Sequence, residues 1–237
     1  MEPVLHRYDD PIVTGRLVGR QNRFVLSVDI DGRERDVFLD ETGRLTTVLV
    51  DDATVYCIPA DDPDRATEYT AVAVETDTVV VSIRAAMANE LFITALEEDH
   101  LPTFADATVI RREPPLPDHG RTDVQIEHDG QEAYVEVKAV THVEDGTGKF
   151  PDAPSERAVR HLRGLTALVD AGTPAHAVFV CQRPDATVVK PYEDIHPAFA
   201  TELRNAVRAG VSVHALAVGV DLPVVRLTDP DVPVEVW

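Results

Sequence analysis

Lysine is the scarcest charged residue here: of 22 basic residues, three are lysines (Lys138, Lys149 and Lys190) and the rest are arginines. Cysteine is scarcer still. Cys57 and Cys181 lie far apart, and neither has a second cysteine at metal-ligand or redox spacing, which argues against a zinc site. Each sits in an apolar run, so both are expected as buried free thiols in a reducing compartment. No apolar stretch approaches the ~20 residues that a membrane span requires. The opening MEPVLHRYDD lacks the basic and apolar regions of a secretory leader, so a soluble, cytoplasmic protein with no membrane partner is expected. Neither a phosphate loop nor a dinucleotide fingerprint is present.

Acid is what the chain has in excess: 42 acidic residues give a net charge of −20. This acidic, lysine-poor composition resembles proteins of salt-in halophiles, in whose cytosol the Debye length is ~3 Å or less. Repulsion from a polyanion is then screened. DNA or RNA remains admissible as a partner, held by local contacts and a metal ion rather than by bulk charge. Two of the three lysines fall close together, at Lys138 and Lys149, and the first stands in a Glu-x-Lys triplet.

That triplet belongs to Gly120–Val140, the stretch around which the chain is organised. Asp129-Gly130 suits the two central positions of a tight hairpin turn, with alternating apolar runs on either side. A two-residue turn puts Asp123 opposite Glu136, with Glu136 and Lys138 on one face. Carboxylates directly opposite on a ladder have Cβ atoms roughly 4.5–5.5 Å apart and repel each other. A divalent cation between them removes the conflict. Mg²⁺ uses few carboxylates, keeps several waters and takes other ligands from substrate phosphates. Asp123, Glu136 and the Val137 carbonyl are therefore the expected ligands of Mg²⁺ or Mn²⁺, and Lys138 supports the attacking water or the charged phosphate. The bland alternative is that Glu-x-Lys is the alternating charge of a half-exposed strand. The arrangement resembles the PD-(D/E)xK nucleases. Two literal Pro-Asp pairs do not fit it: Pro117-Asp118 is out of position, and Pro151-Asp152 follows the Glu-x-Lys.

Upstream, residues 12–83 read as five strands with polar turns: Ile12–Val18, Arg23–Ile30, Arg35–Leu39, Ala53–Ile58 and Tyr69–Ile83. This suits an OB-type barrel, a common oligonucleotide platform. Arg20, Arg23, Arg44 and Arg65 are candidate groove residues, with Tyr56 or Tyr69 to stack a base. Arg84–Asp99 has helical spacing, and Glu90 is the candidate for an additional acid. A proline-rich connector, Arg111–Asp118, leads into the hairpin.

Beyond the hairpin, Pro154 is expected in the first turn of a helix that stops at Gly172, with Val159, Leu162, Leu165, Thr166 and Val169 buried. Arg157 and His161 are neighbours outside that stripe and, with Lys149, are candidates to hold nucleic-acid phosphates. Strand, helix and strand follow at Ala175–Gln182, Ile195–Ala209 and Val211–Val220, completing a mixed-sheet α/β layer. His176 and His214 read as core histidines.

Together, Arg121-x-Asp123, Tyr134-x-Glu136-Val137-Lys138, Phe150-Pro151-Asp152-Ala153, Ser155-Glu156-Arg157 and His161-Leu162 resemble the sugar fermentation stimulation protein (SfsA) family. Arg20-x-Asn22-Arg23-Phe24, Thr42-Gly43-Arg44 and Ala88-Asn89 agree. The resemblance implies an OB-like domain, 1–83, followed by a PD-(D/E)xK nuclease-like domain, 84–237. It also implies nucleic-acid binding, with Asp123, Glu136 and Lys138 at a metal-dependent site and Arg157 and His161 beside it. One departure concerns Asp40-Glu41, where the family usually has Pro-Asn. Two expectations follow: a metal-dependent DNA or RNA phosphodiesterase, or a non-catalytic DNA-binding regulator of sugar metabolism genes.

Overall fold

The computed structural model describes residues 2–60, 62, 64–116 and 120–237. The Pro117-Asp118 pair and turn residues Asp61 and Pro63 lie outside the described residues.

The first strand, β1 (Val4–Arg7), is followed by β2 (Val13–Asn22), β3 (Val25–Ile30), β4 (Arg33–Phe38), β5 (Thr54–Pro59), β6 (Tyr69–Glu75) and β7 (Val80–Ser82). Strands β2 to β6 form a five-stranded barrel, closed by parallel pairing of β4 with β6. The β3–β4 turn is Asp31-Gly32, with φ of +52° and +74°. Positive φ at both central residues matches the twist of the flanking strands. The expected Tyr69–Ile83 strand is instead a hairpin: the Thr76 amide donates to the Val79 carbonyl at 2.9 Å and reverses the chain. Leu26, Val28, Val37, Leu39, Val55 and Val74 are among those filling the interior.

The second unit comprises α1 (Met87–Glu97), β8 (Thr108–Arg112), β9 (Val124–His128), β10 (Gln131–Val140), α2 (Glu156–Asp170), β11 (Ala175–Cys181), α3 (Pro197–Ala209), β12 (Ser212–Asp221) and β13 (Val224–Asp229). Its seven-stranded sheet runs β1-β13-β12-β11-β10-β9-β8. The central strands β10, β11 and β12 are parallel and the flanking pairs antiparallel. Val4–Arg7, which the sequence division put with the barrel, therefore belongs to the second sheet as its edge strand. Arg111 and Arg112, placed by the sequence in a connector, pair in β8 with β9.

Alternation on β11 builds both cores. Val178 and Val180 pack with Leu91, Phe92 and Leu96 of α1 on one face. Ala177 and Phe179 pack with Leu162, Leu165, Phe199 and Leu203 of α2 and α3 on the other. Period-two side chains of a strand covered on both faces give this division. Helix α2 starts one step later than expected: Ser155 is its N-cap, accepting from the Ala158 amide at 3.2 Å, and Pro154 precedes the cap. Cys57 and Cys181 are buried and free, and burial pushes both thiols up to about 12.

His176 and His214 face each other at 3.2 Å between ring nitrogens and pack edge-on against Phe104, with His128 beside them. Burial, reinforced by His214 and His128, lowers His176 to about 4. Burial also lowers His214. Between pH 6.5 and about 4 the unfolded chain therefore binds protons that these folded histidines refuse. The melting temperature is expected to hold above pH 6.5 and to fall as pH drops through that window. His176→Gln keeps a hydrogen-bonding group without its titration and should flatten the fall. Identical slopes in variant and wild type would contradict this account.

Candidate metal and phosphodiester site

The site forms where the β9–β10 ladder stops and β10 continues, paired only with β11. Asp129 and Gly130 at the hairpin tip have φ of +53° and +71°, and the register runs from His128↔Gln131 to Val124↔Val135. One step further puts Asp123 across from Glu136, as the tight turn predicts. The backbone ladder has stopped there, and two side chains replace it. Thr122 Oγ1 donates to the Val135 carbonyl at 2.8 Å, and Asp123 Oδ2 accepts from the Val137 amide at 2.8 Å. Asp123 is thus turned along the sheet edge onto β10 rather than standing as a regular cross-strand partner. Its other oxygen, Oδ1, accepts from Asn89 Nδ2 of α1 at 3.0 Å.

Glu136 points towards α2 and is 1% exposed. Its Oε1 accepts from Lys138 Nζ and from His161 Nδ1. The His161 tautomer follows from its far side, where Arg157 Nε donates to Nε2 at 3.3 Å and leaves the ring proton on Nδ1. The second oxygen, Glu136 Oε2, is buried and has no hydrogen-bond partner among the described residues. Lys138 Nζ also donates to the Val137 carbonyl at 3.1 Å, so its ammonium spans two of the three expected metal ligands.

Electrostatics separate the two carboxylates. Burial, then the charge of Glu136, raises Asp123 above the ordinary carboxylate range. Burial also pushes Glu136 upward, but the Lys138 charge and the hydrogen bond from His161 outweigh it and hold the group well below its usual value. Among the described residues, no group of three or more His, Cys, Asp or Glu side chains is arranged for a metal. Two carboxylates and a backbone carbonyl are a smaller set of hard oxygens. It suits a cation that completes its shell with water and phosphate. The unpartnered Glu136 Oε2 is the acceptor such an ion would satisfy.

Glu136, Lys138, Arg157 and His161 are linked by hydrogen bonds, and Asp123 joins the same stretch of β10 through the Val137 amide. His161 is buried beneath Glu136, so it anchors the carboxylate and leaves Arg157 as the exposed group. Glu90 is a correction: it pairs with Arg112 at 3.0 Å on the exposed side of α1, and its neighbour Asn89 faces Asp123. Successive helix positions point about 100° apart, so only one of the two can reach the site. Asn89→Ala should reduce any metal-stimulated cleavage by about tenfold and cost about 1 kcal/mol of stability, the worth of one hydrogen bond. Parallel rate and denaturation measurements check both.

Arg20 is a second correction. Its Nε reaches the Asn22 carbonyl, Nη1 those of Gly43 and Arg44, and Nη2 those of Arg23 and Glu41, so its five donors are spent on backbone. Arg23 and Arg44 are exposed, and Arg23 lines a cleft with Gly43 and Phe150–Ser155. Lys149 pairs with Glu144 and lies 4.9 Å above the Tyr192 ring.

Asp152, set aside in the sequence as the wrong acid, accepts from the Leu45 amide at 2.9 Å and joins the barrel loop to the lead-in to α2. A Cβ at Gly43 would stand 2.3 Å from its Oδ1, so a side chain there would displace the Asp152 carboxylate. Glu41, the departure noted above, is pushed up to about 7 by burial and accepts from the Gly43 amide at 2.7 Å.

Comparison with known proteins gives two matching family models. The SfsA N-terminal OB domain matches residues 18–83, and the sugar fermentation stimulation protein RE domain, restriction endonuclease-like, matches 86–223. The chain is 39% identical to a sugar fermentation stimulation protein homolog of Acetivibrio thermocellus, over 91% of this chain and 92% of that protein. It is 36% identical to the homolog of Moorella thermoacetica, over 92% and 95%. Among solved structures it is similar to Pyrococcus furiosus SfsA in complex with Ca²⁺, with a TM-score of 0.90 and 29% identity, covering 98% of this chain and 99% of that one. No helix among the described residues is long and apolar enough to cross a membrane.

Proposed function

Because the chain belongs to the sugar fermentation stimulation protein family and carries its restriction endonuclease-like domain, we propose that it is a divalent-metal-dependent phosphodiesterase acting on DNA or RNA. The observation that carries this reading is the buried Glu136 Oε2, an acceptor with no partner among the described residues, on a carboxylate that Lys138 ties to the Val137 carbonyl and beside the Val137 amide that holds Asp123. A solved relative in complex with Ca²⁺ supports an oxygen-ligated cation.

Asp123, Glu136 and the Val137 carbonyl would hold Mg²⁺ or Mn²⁺. When bound, such a cation neutralises charge on the scissile phosphate and lowers the pKa of a coordinated water. The chain's own groups do the rest. His161 keeps Glu136 aimed by donating from Nδ1. Asn89 and the Val137 amide fix Asp123. Lys138 leaves the Val137 carbonyl and turns its ammonium to the attacking water or the developing phosphate charge. Exposed Arg157 holds a phosphate of the strand by charge-assisted hydrogen bonds.

The test is a panel of labelled single- and double-stranded DNA and RNA with Mg²⁺ or Mn²⁺, with and without molar KCl. Products that require metal and vanish in EDTA support the reading. Binding that persists in EDTA, with no products from any substrate, would replace it with a non-catalytic nucleic-acid-binding regulator.

A further inference from the structure

A second candidate site lies away from the carboxylates, where the barrel meets the amino-terminal strand and the lead-in to α1. A cavity of about 330 Å³ opens there. Arg65 and Phe38 line it from the barrel, His6 and Tyr8 from the amino-terminal segment, and Arg84 from the approach to α1. The Arg65 guanidinium stands 5.3 Å over the Phe38 ring, and its Nε donates to the Thr67 carbonyl at 3.0 Å. The Tyr8 hydroxyl donates to Met87 Sδ at 3.4 Å.

Three of the residues that line the cavity each keep a side-chain nitrogen without a partner. Arg65 Nη2, Arg84 Nε and His6 Nε2 are all shut off from solvent and have no hydrogen-bond partner among the described residues. No ion pair among the described residues involves Arg65 or Arg84. Asp9, Asp10 and Asp40 border the same space without pairing to them. Buried donors without acceptors, and like charges gathered from two domains, are both costly unless an anion joins them. Arginine forks are matched to phosphate, which takes two parallel N–H bonds from each. The volume is at the lower end of the ~300–1,000 Å³ typical of small-ligand pockets, too small for a duplex. The bordering carboxylates suit donors next to a phosphate, such as sugar hydroxyls.

We propose that this interdomain cavity binds the phosphate of a nucleotide, either a free mononucleotide or the phosphorylated end of a strand. Arg65 and Arg84 take the phosphate oxygens, and His6 completes the contact. The binding needs no metal and does not rest on the cleavage reading. Arg84 precedes α1, whose first turn carries Asn89.

Calorimetric titration of the full chain in EDTA tests this, using inorganic phosphate, adenosine monophosphate, and a short oligonucleotide with and without a 5′-phosphate. Phosphate-bearing probes are expected to bind. Arg65→Gln and Arg84→Gln should each weaken binding about tenfold or more, the scale for hydrogen bonds to a charged group. Lys138→Met should bind as wild type does, which separates this cavity from the carboxylate site. Saturation by adenosine monophosphate identifies a free nucleotide as the ligand, and binding confined to the 5′-phosphorylated oligonucleotide identifies a strand end; either outcome upholds the cavity. Should Arg84→Gln unfold the chain, Arg65→Gln decides alone. No binding by any phosphate-bearing probe, or equal loss in Lys138→Met and the arginine variants, would overturn the proposal.

Discussion

Glu136→Gln is expected to remove metal-stimulated cleavage by about a thousandfold, matching the several kcal/mol of charge stabilisation that a bound cation supplies. The side chain keeps its shape, so the change isolates charge from packing. Glutamine retains an oxygen that can accept from His161 Nδ1 or Lys138 Nζ, the two donors that Glu136 Oε1 serves. It loses the negative oxygen that sits buried and without a partner among the described residues. Cation binding and catalysis should therefore disappear together. The fold should survive at reduced stability, because the amide oxygen still accepts a hydrogen bond while the stabilisation that Lys138 and His161 give the ionised carboxylate is lost. Rates under metal saturation, alongside thermal melts with and without Ca²⁺, read both effects. A variant that keeps full metal-dependent rates would remove Glu136 from the chemistry.

Lys138→Met should separate what Glu136→Gln joins. In the folded chain the ammonium spans Glu136 Oε1 and the Val137 carbonyl, so lysine and cation compete for the same oxygens. Removing it frees those acceptors. Ca²⁺ should bind at least as tightly as in wild type and raise the melting temperature by mass action. Cleavage should still fall by about a hundredfold to ten-thousandfold, the usual contribution of a positioned acid–base group. Without metal the variant should be the less stable protein, since Glu136 is left buried with His161 alone. Metal affinity lost in parallel with activity would mean that Lys138 holds the site together rather than acting on phosphate.

The contrast between these variants also shows which parts of the site were legible in the sequence. The hairpin was, because Asp129-Gly130 and period-two alternation leave one register, and that register brings Asp123 to Glu136. The orientation of Asp123 was not. It depends on β9 ending at Val124, which strands the Val137 amide and draws the carboxylate onto it. Helical spacing located α1, but periodicity cannot say which of two adjacent polar residues faces a sheet packed by tertiary contacts. Hence Glu90 in place of Asn89. His161 was recognised as a neighbour of the site but read as exposed, because its burial depends on a partner carboxylate 25 residues away in sequence. The barrel arginines illustrate the opposite limit. Arg20 has the composition of a phosphate ligand, yet its guanidinium serves as a rivet for the loop from Glu41 to Arg44. The contribution of β1 to the far sheet rests on long-range pairing with β13, for which the local pattern carries no signal.

The acidic surface bears on how these tests are run. With a net charge of −20, long-range attraction for a polyanion is absent at low salt, and local contacts must carry binding. Salt should therefore weaken nucleic-acid binding less steeply than it does for basic proteins, whose affinity rests on counterion release.

The central claim is that Asp123 and Glu136 grip one cation at the edge of β10. Anomalous scattering from crystals soaked in Mn²⁺ tests it most directly. The account predicts a single strong peak within coordination distance of an Asp123 carboxylate oxygen, Glu136 Oε2 and the Val137 carbonyl, with Lys138 displaced from that carbonyl. A fully soaked crystal with no peak there, and Lys138 still lying across Glu136 and Val137, would contradict it.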